Sequence, residues 1–294
     1  MQTKTLLIAL LLLSATGVAA QATLQVVTQT VQKNLRWKPG SEVEIICEKA
    51  EVEVEAADQQ QVSVSAELSA RHPRLDSAQA DAKAWKFVTS TIGKKIYIRA
   101  YIGLSAGQRL PGSNLKARIR VLVPKGCAVT LNNKFGKARV EKITGAVRLT
   151  GEFCAFTLRD VQGSVRVQSS YGNVDGSRLG GSVEVQSKRS DVSLSGLSSD
   201  CTVRSEYGAV SVEASPKTGN LSVQATKCDV TVDAPDPPRH NFQLRTTYGD
   251  LNTPLNLHFD TKGSSGNTRQ AALQQGAGRP NVNIETNFGK ITVR

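Results

Sequence analysis

The 294-residue chain carries a formal charge of +12 and only 5% aromatic residues, so its core must be built from Val, Leu, Ile and Ala rather than from rings. Five cysteines is an odd number, which excludes complete pairing within one chain. Beyond residue 20 no stretch is long and apolar enough for a transmembrane helix, and the remaining length suits one large β domain or two smaller ones.

The first element is an expected signal peptide over residues 1–20. Lys4 supplies the positive start, LLIALLLLSA (6–15) the short apolar run, and VAA (18–20) the small residues before a cleavage site. No cysteine follows that run, so a lipid anchor is not expected. VEIICEKAEV (43–52) alternates apolar and polar residues as two short strands joined by a turn. A Val-rich strand (62–68) follows. The spacing then predicts a helix over 76–88, DSAQADAKAWKFV, capped by Asp76 or Ser77, with Ala78, Ala82, Trp85 and Val88 on one face. Packed over the first rungs, it would close that end of the fold. Two more strands are expected at 96–102 and 117–123.

From Val129 onward the chain repeats. VRVQSSYGNV (165–174) returns 18 residues later as VEVQSKRSDV and after another 18 as CTVRSEYGAV. Taking Val165 as position 1 of the unit, the equivalent residues are Val129, Val147, Val165, Val183, Cys201, Leu221, Phe242 and Val282. Positions 1, 3, 10 and 12 are apolar almost throughout, while 2, 4 and 11 are polar. Each unit therefore holds two short strands with one face buried. No single unit can bury its four or five apolar side chains, so the units must stack, at ~4.8 Å per rung. Residues 43–54 fit the same frame. The expected fold is all-β, a single-domain β-solenoid of about 18-residue rungs with one short helix near the N-terminal end. Residues 21–128 would form irregular N-terminal rungs, strands and the helix, and residues 129–294 regular rungs with an inserted loop at 253–281. Within that loop TKGSSGNTRQAALQQGAGRP (261–280) is Gly/Ser-rich, and PDPPRH (235–240) is a turn.

The run RIRVLVPKGCAVTLNNKFGKARV (118–140), the repeated YG or FG turns and the ending GAGRPNVNIETNFGKITV (276–293) resemble the bacterial "putative adhesin" domains over essentially all of residues 21–294. The resemblance implies an exported β-solenoid and supplies no catalytic signature.

Three features carry candidate chemistry. Position 7 reads Phe135, Phe153, Tyr171, Arg189, Tyr207, Lys227, Tyr248 and Phe288, a ladder in which Arg189 could lie between Tyr171 and Tyr207. Tyr171, Arg189, Tyr207, Lys227 and Tyr248 are the candidate ligand contacts. The competing reading is structural: the rings cover turns in which Gly at position 8 takes a positive φ. The second feature is a basic run from Arg109 to Arg148, with ten cations and one acid, Glu141. Within it Arg118, Arg120, Lys134, Lys137 and Arg139 are candidates for an anionic ligand. The register places Glu51 beside Lys137 and Glu53 beside Arg139, which would take up part of that charge. The third is a pair of acids, Asp229 and Asp250, expected on adjacent rungs, where a catalytic role would need them to flank a bond.

His72, His240 and His258 read as surface or loop residues without metal-ligand spacing. Cys47 and Cys201 should point inward. No metal, cofactor or nucleic-acid partner is expected. The function expected is a non-catalytic, adhesin-like binding module, exported to the periplasm, outer surface or medium, that contacts a glycan or envelope protein. A purely structural periplasmic scaffold is the alternative, and a carbohydrate-active enzyme a more distant one.

Overall fold

The computed structural model describes residues 24–104, 107, 109–234, 239–254 and 257–294. The expected signal segment lies outside these residues, as does the PDPP part of the 235–240 turn. The architecture is all-β and solenoid-like. Its regular part is a stack of rungs: β8 (Ala128–Glu141), β9 (Val147–Val161), β10 (Val165–Ser170) with β11 (Val174–Leu179), β12 (Val183–Lys188) with β13 (Val192–Leu197), β14 (Cys201–Glu213) and β15 (Leu221–Asp233). Pairing between rungs is parallel and in the register that the sequence columns dictate: Val147 beside Val165, Val165 beside Val183, and Val183 beside Cys201. First halves of rungs form one parallel sheet and second halves another. Val, Leu and Ile at positions 1, 3, 10 and 12 fill the space between them, nearly all fully buried. Each such side chain contributes about 1.5–3 kcal/mol relative to exposure.

The two ends depart from chain order. β2 (Glu42–Glu48) and β3 (Ala50–Ala57) form the first rung in sequence, and their pairing with β8 follows the expected frame, Val43 beside Val129 and Val54 beside Val140. Outside that rung lie β6 (Lys95–Ile102) on β2 and β7 (Asn114–Pro124) on β3, both parallel. The last rung in sequence, β20 (Asn281–Asn287) with β21 (Ile291–Val293), pairs with β15 on one side. On its other side lie β16 (Asn241–Thr247) and β17 (Leu251–Asn252). Sequential stacking of the units at 221, 242 and 282 is thus corrected to the order 221, 282, 242. The reason lies in the 253–281 excursion. It is no simple loop but forms β18 (Asp260–Ser265) and β19 (Thr268–Leu273), and β19 covers the outer edge of β16 in antiparallel fashion. With that edge occupied, the last rung is held between two partners instead of ending the sheet, where a bare strand edge would be exposed.

The N-terminal end is closed in the same manner. β4 (Gln61–His72) pairs antiparallel with β7, and β1 (Gln25–Arg36) pairs antiparallel with β4. β5 (Trp85–Ile92) pairs antiparallel with β6. The helix α1 spans Leu75–Ala82 only, and its N-cap residue is Arg74, whose side chain makes no cap hydrogen bond. Ala78 and Ala82 are its buried positions, as expected, while Trp85 and Val88 belong to β5. The sequence WKFVTSTI alternates and is rich in β-branched and aromatic residues, so pairing with β6 prevails over helix extension. Trp85 Nε1 donates to Ser69 O at 3.1 Å, anchoring the turn that ends the helix.

Candidate functional site: an aromatic corner beside a polar trough

Between the two halves of each rung the chain turns a corner at position 7, and every residue there adopts a left-handed conformation. Lys49, Phe135, Phe153, Tyr171, Arg189, Tyr207, Lys227, Phe288 and Tyr248 all have φ between +51° and +59°. The expectation that Gly at position 8 would carry the positive φ is therefore corrected at Gly136, Gly172, Gly249 and Gly289, while Gly208 takes φ +144° in addition to Tyr207. Glycine is needed there because a Cβ would collide with the neighbouring rung: at Gly136 it would lie 2.0 Å from Ala50 O, and at Gly289 1.9 Å from Cys228 O. Beneath the corner, position 5 holds small buried polar groups that satisfy its carbonyls. Ser169 Oγ donates to Gly172 O at 2.6 Å, and Thr246 Oγ1 to Gly289 O at 2.8 Å.

The corner brings Tyr171, Arg189, Tyr207 and Lys227 together as one column. Phe135 stacks on Phe153 at 5.2 Å and 2°, and Phe153 on Tyr171 at 4.7 Å and 14°. Arg189 lies between Tyr171 (5.6 Å) and Tyr207 (5.4 Å), as its place in the column implied. Lys227 caps Tyr207 at 5.0 Å and its Nζ donates to Tyr207 Oη at 3.2 Å. Tyr248 is displaced from its expected place beside Lys227 and stacks on Phe288 at 4.8 Å and 4°.

This geometry decides what the ladder can offer a ligand. The three stacked pairs lie within 14° of parallel, and the faces of Phe153, Tyr171 and Tyr207 inside the column are covered by a neighbouring ring or cation. Stacking of a sugar ring needs a free aromatic face, which the interior of the column lacks. The ladder is a brace: each contact contributes about 0.5–1.5 kcal/mol and offsets the cost of the left-handed backbone beneath it.

The concave surface lies alongside. Positions 4 and 6 of the rungs from β10 to β20 line an open trough of about 950 Å³, with Gln168, Gln186, Lys188, Arg204, Gln224 and Glu285 prominent in it. A second hollow of about 590 Å³ shares Gln224 and Glu285 with it and continues to Arg245 and, on the β18–β19 hairpin, Asp260 and Gln270. The first alone spans four rung spacings, roughly 19 Å. Its charges are balanced internally: Lys188 lies 3.3 Å from Glu206, Arg245 3.8 Å from Glu285, and Arg204 3.9 Å from Glu184. Arg204 Nε also donates to Gln224 Oε1 at 3.2 Å. What remains for a ligand is a repeating array of amides and hydroxyls. These residues carried no individual signal in the sequence; only the polar columns at positions 2 and 4 pointed to them.

The basic candidates fall on two strands with an acidic strand between them. Arg118 and Arg120 are on β7, Lys134, Lys137 and Arg139 on β8, and β3 with Glu51, Glu53 and Glu55 lies in the middle. Both predicted neighbours, Glu51 with Lys137 and Glu53 with Arg139, are in register. Arg118 and Lys116 reach Glu51 at 3.3 and 2.7 Å, and Arg120 and Lys142 reach Glu55 at 3.2 and 2.8 Å. Hydrogen bonds, from Lys116 to Glu51 and from Lys142 to Glu55 first of all, hold both carboxyls below the ordinary carboxylate value. Lys134 lies 3.7 Å from Glu152, and Arg139 3.7 Å from Glu141. Much of this positive charge is therefore answered within the fold.

The acid pair does not form. The rung of β20 and β21 separates Asp229 from Asp250; Asp229 Oδ1 accepts from Lys290 N at 2.9 Å, and Asp250 Oδ1 accepts from Arg269 at 2.6 Å. His240, expected at the surface, is buried at 3% exposure, its Nε2 3.2 Å from Thr218 O, because it packs against Phe242 at the rung's start. All five cysteines are free and buried, including the inward Cys47 and Cys201. Burial pushes the thiols of both up to about 12. Among the described residues no group of His, Cys, Asp and Glu could hold a metal ion.

A stack of parallel rungs with a braced corner and a polar side groove defines a β-solenoid-like fold. The chain belongs to the Toastrack DUF4097 family, whose sequence profile matches residues 41–294. No curated protein matches the chain. Among solved structures it is similar to a Bacteroides fragilis protein called a "putative adhesin", at 10% identity, covering 90% of this chain and 96% of that one, with a TM-score of 0.46. A Parabacteroides distasonis "putative lipid binding protein" is 12% identical over 91% of this chain and 96% of its own, with a TM-score of 0.39. A Clostridium sporogenes "putative cell adhesion protein" is 11% identical over 91% and 99%, with a TM-score of 0.29.

Proposed function

We propose that the chain is a non-catalytic, exported binding module of adhesin type, built on a rigid single-domain β-solenoid of 18-residue rungs. Its ligand is an extended, largely neutral polar polymer, a glycan, lying along the rod axis in the trough. The observation that carries this reading is the trough itself: an open groove in which amides and hydroxyls recur on most rungs, interrupted at Arg204 and Glu206, with its charges already paired. A linear polymer with its own repeat can meet equivalent groups at fixed intervals, so weak contacts sum. A compact small molecule would instead favour an enclosed, mostly apolar cavity.

The test is binding of the purified protein to a panel of neutral and acidic glycans at low and high salt. Salt-resistant binding to neutral chains, lost in a Gln186→Ala/Arg204→Ala/Gln224→Ala variant and kept in Lys137→Ala/Arg139→Ala, is the expected result. Salt-sensitive binding to acidic chains alone would move the site to the β7–β3–β8 face. Binding to neither would favour a scaffold whose partner is another envelope protein.

A further inference from the structure

The exposed large apolar side chains of the described residues fall into two groups. One is the aromatic corner. Every other member lies between residues 24 and 110, in or beside the elements that close the N-terminal end. Val26 on β1 is 50% exposed, Leu75 on α1 49%, Val88 on β5 46%, and Ile92 at the tip of the β5–β6 hairpin 68%.

The outermost elements of the same end are rich in basic residues. Residues 24–41 and 61–113 supply β1, β4, α1, β5 and β6, and they hold eleven basic residues and three acids. The adjoining β2 and β3, within residues 42–60, add seven acids and one basic residue, so this excess of eight belongs to the outermost elements alone. The solvent face of the β5–β6 pair interleaves the two kinds of side chain. Lys86 is opposite Tyr101, Val88 opposite Arg99, and Ile92 opposite Lys95, with Gly93 and Lys94 forming the exposed tip between them. Glu44 and Glu42 of β2 lie 3.4 and 3.9 Å from Lys95.

Aliphatic side chains set singly among lysines and arginines suit a lipid headgroup layer. The aliphatic groups enter the headgroup–acyl boundary while the cations remain at the phosphates. A protein partner would instead call for a contiguous, desolvated apolar centre. We propose that the outward face of the β5–β6 hairpin, near the N-terminal end of the rod, docks on an anionic phospholipid surface, through Val88 and Ile92 at the boundary and Lys86, Lys94 and Arg99 at the phosphates. Arg99 shares its column with Gln168 of the trough, through Ile46, Asn132 and Thr150, so the docking residues and the trough lie on one face of the rod, the trough beginning four strands beyond β6 at β10. The proposal is independent of what the trough binds.

Vesicle flotation of the full-length protein tests it. Two variants carry the same change in net charge: Lys86→Glu/Lys94→Glu at the docking end and Lys217→Glu/Lys290→Glu toward the far end. Wild type and the far-end variant should float with phosphatidylglycerol-containing vesicles at low salt and dissociate at high salt. The docking-end variant should lose partitioning by at least roughly fivefold for each lysine reversed. Ile92→Ser, in which the charge is intact, should also weaken flotation. Equal losses in both charge variants would overturn the proposal in favour of unspecific attraction. Binding to phosphatidylcholine alone that neither salt nor any variant changes would assign it to the apolar N-terminal run. No flotation at all would leave this end to an acidic protein.

Discussion

At Tyr171 the usual order of Ala and Gly substitutions should reverse. The ring stacks on Phe153 at 4.7 Å and carries Arg189 at 5.6 Å on its other face, while the backbone sits at φ +58°. Losing the ring removes one stacked contact, about 0.5–1.5 kcal/mol, and one exposed cation–π contact, about 0.5–1 kcal/mol. Tyr171→Ala should therefore cost about 1–2.5 kcal/mol, since alanine bears the same left-handed backbone as tyrosine. Tyr171→Gly loses the same contacts but is relieved of the Cβ clash, worth ~1 kcal/mol at such a site. In an ordinary strand Gly is the worse choice by roughly 0.5–1 kcal/mol. Here Tyr171→Gly should melt above Tyr171→Ala and below wild type, by circular dichroism or calorimetry at matched concentration. A glycine variant that melts below the alanine variant would refute the idea that the corner, rather than the strand, sets the backbone at position 7.

Other expectations follow from the same geometry. Gly289→Ala places a Cβ 1.9 Å from Cys228 O and should destabilise by more than ~3 kcal/mol, whereas Gly126→Ala meets nothing within 4 Å and should be neutral; thermal melts of the pair compare them directly. Burial pushes the Cys127 and Cys154 thiols up to about 11 and those of Cys47 and Cys201 to about 12. These four should ignore a thiol reagent in the native protein at pH 8 and react in denaturant, as a colorimetric thiol titration will show. The lowered carboxyls of Glu51 and Glu55 contribute stability that is fully present above their ordinary value of 4.5 and lost as pH falls through their folded values. Glu51→Gln/Glu55→Gln should therefore flatten the decline of melting temperature below pH 4.5.

The sequence columns revealed register well because their period is tied to geometry. A strand slipped by one residue would turn Val165 and Val167 to solvent and Arg166 into the core, so alternation copied every 18 residues allows one alignment. The same argument located the register of β3 on β8 and the seat of Arg189, while the ion pairs of β3 formed with Lys116, Arg118 and Arg120 of β7 and with Lys142 instead of with Lys137 and Arg139. Stacking order was not legible, since Leu221 and Val223 present the same apolar surface to Val282 and Ile284 as to Phe242 and Leu244. What selects between them is the β18–β19 hairpin, which pairs with β16 and which the repeat columns do not contain. The helix end failed for a similar reason: Trp85 and Val88 satisfy helical spacing, and only the presence of β6 as a partner makes them a strand. The left-handed seat was placed one residue too late because an aromatic–Gly pair reads as a glycine turn, whereas the glycine serves close approach between rungs. The trough escaped residue-level reading because no single Gln or Ser in it is unusual; its meaning lies in their repetition along a surface that bends.

The account rests on the trough acting as a rail for a polymer, and the most direct measurement is affinity against ligand length. Neutral oligosaccharides of increasing length, titrated calorimetrically into wild type and into Gln186→Ala/Arg204→Ala/Gln224→Ala, should bind more tightly with each added unit until the ~19 Å groove is filled, then level off. The variant should lose that gain while melting as wild type does. Affinity that is independent of length, or a length effect that survives in the variant, would contradict the central claim.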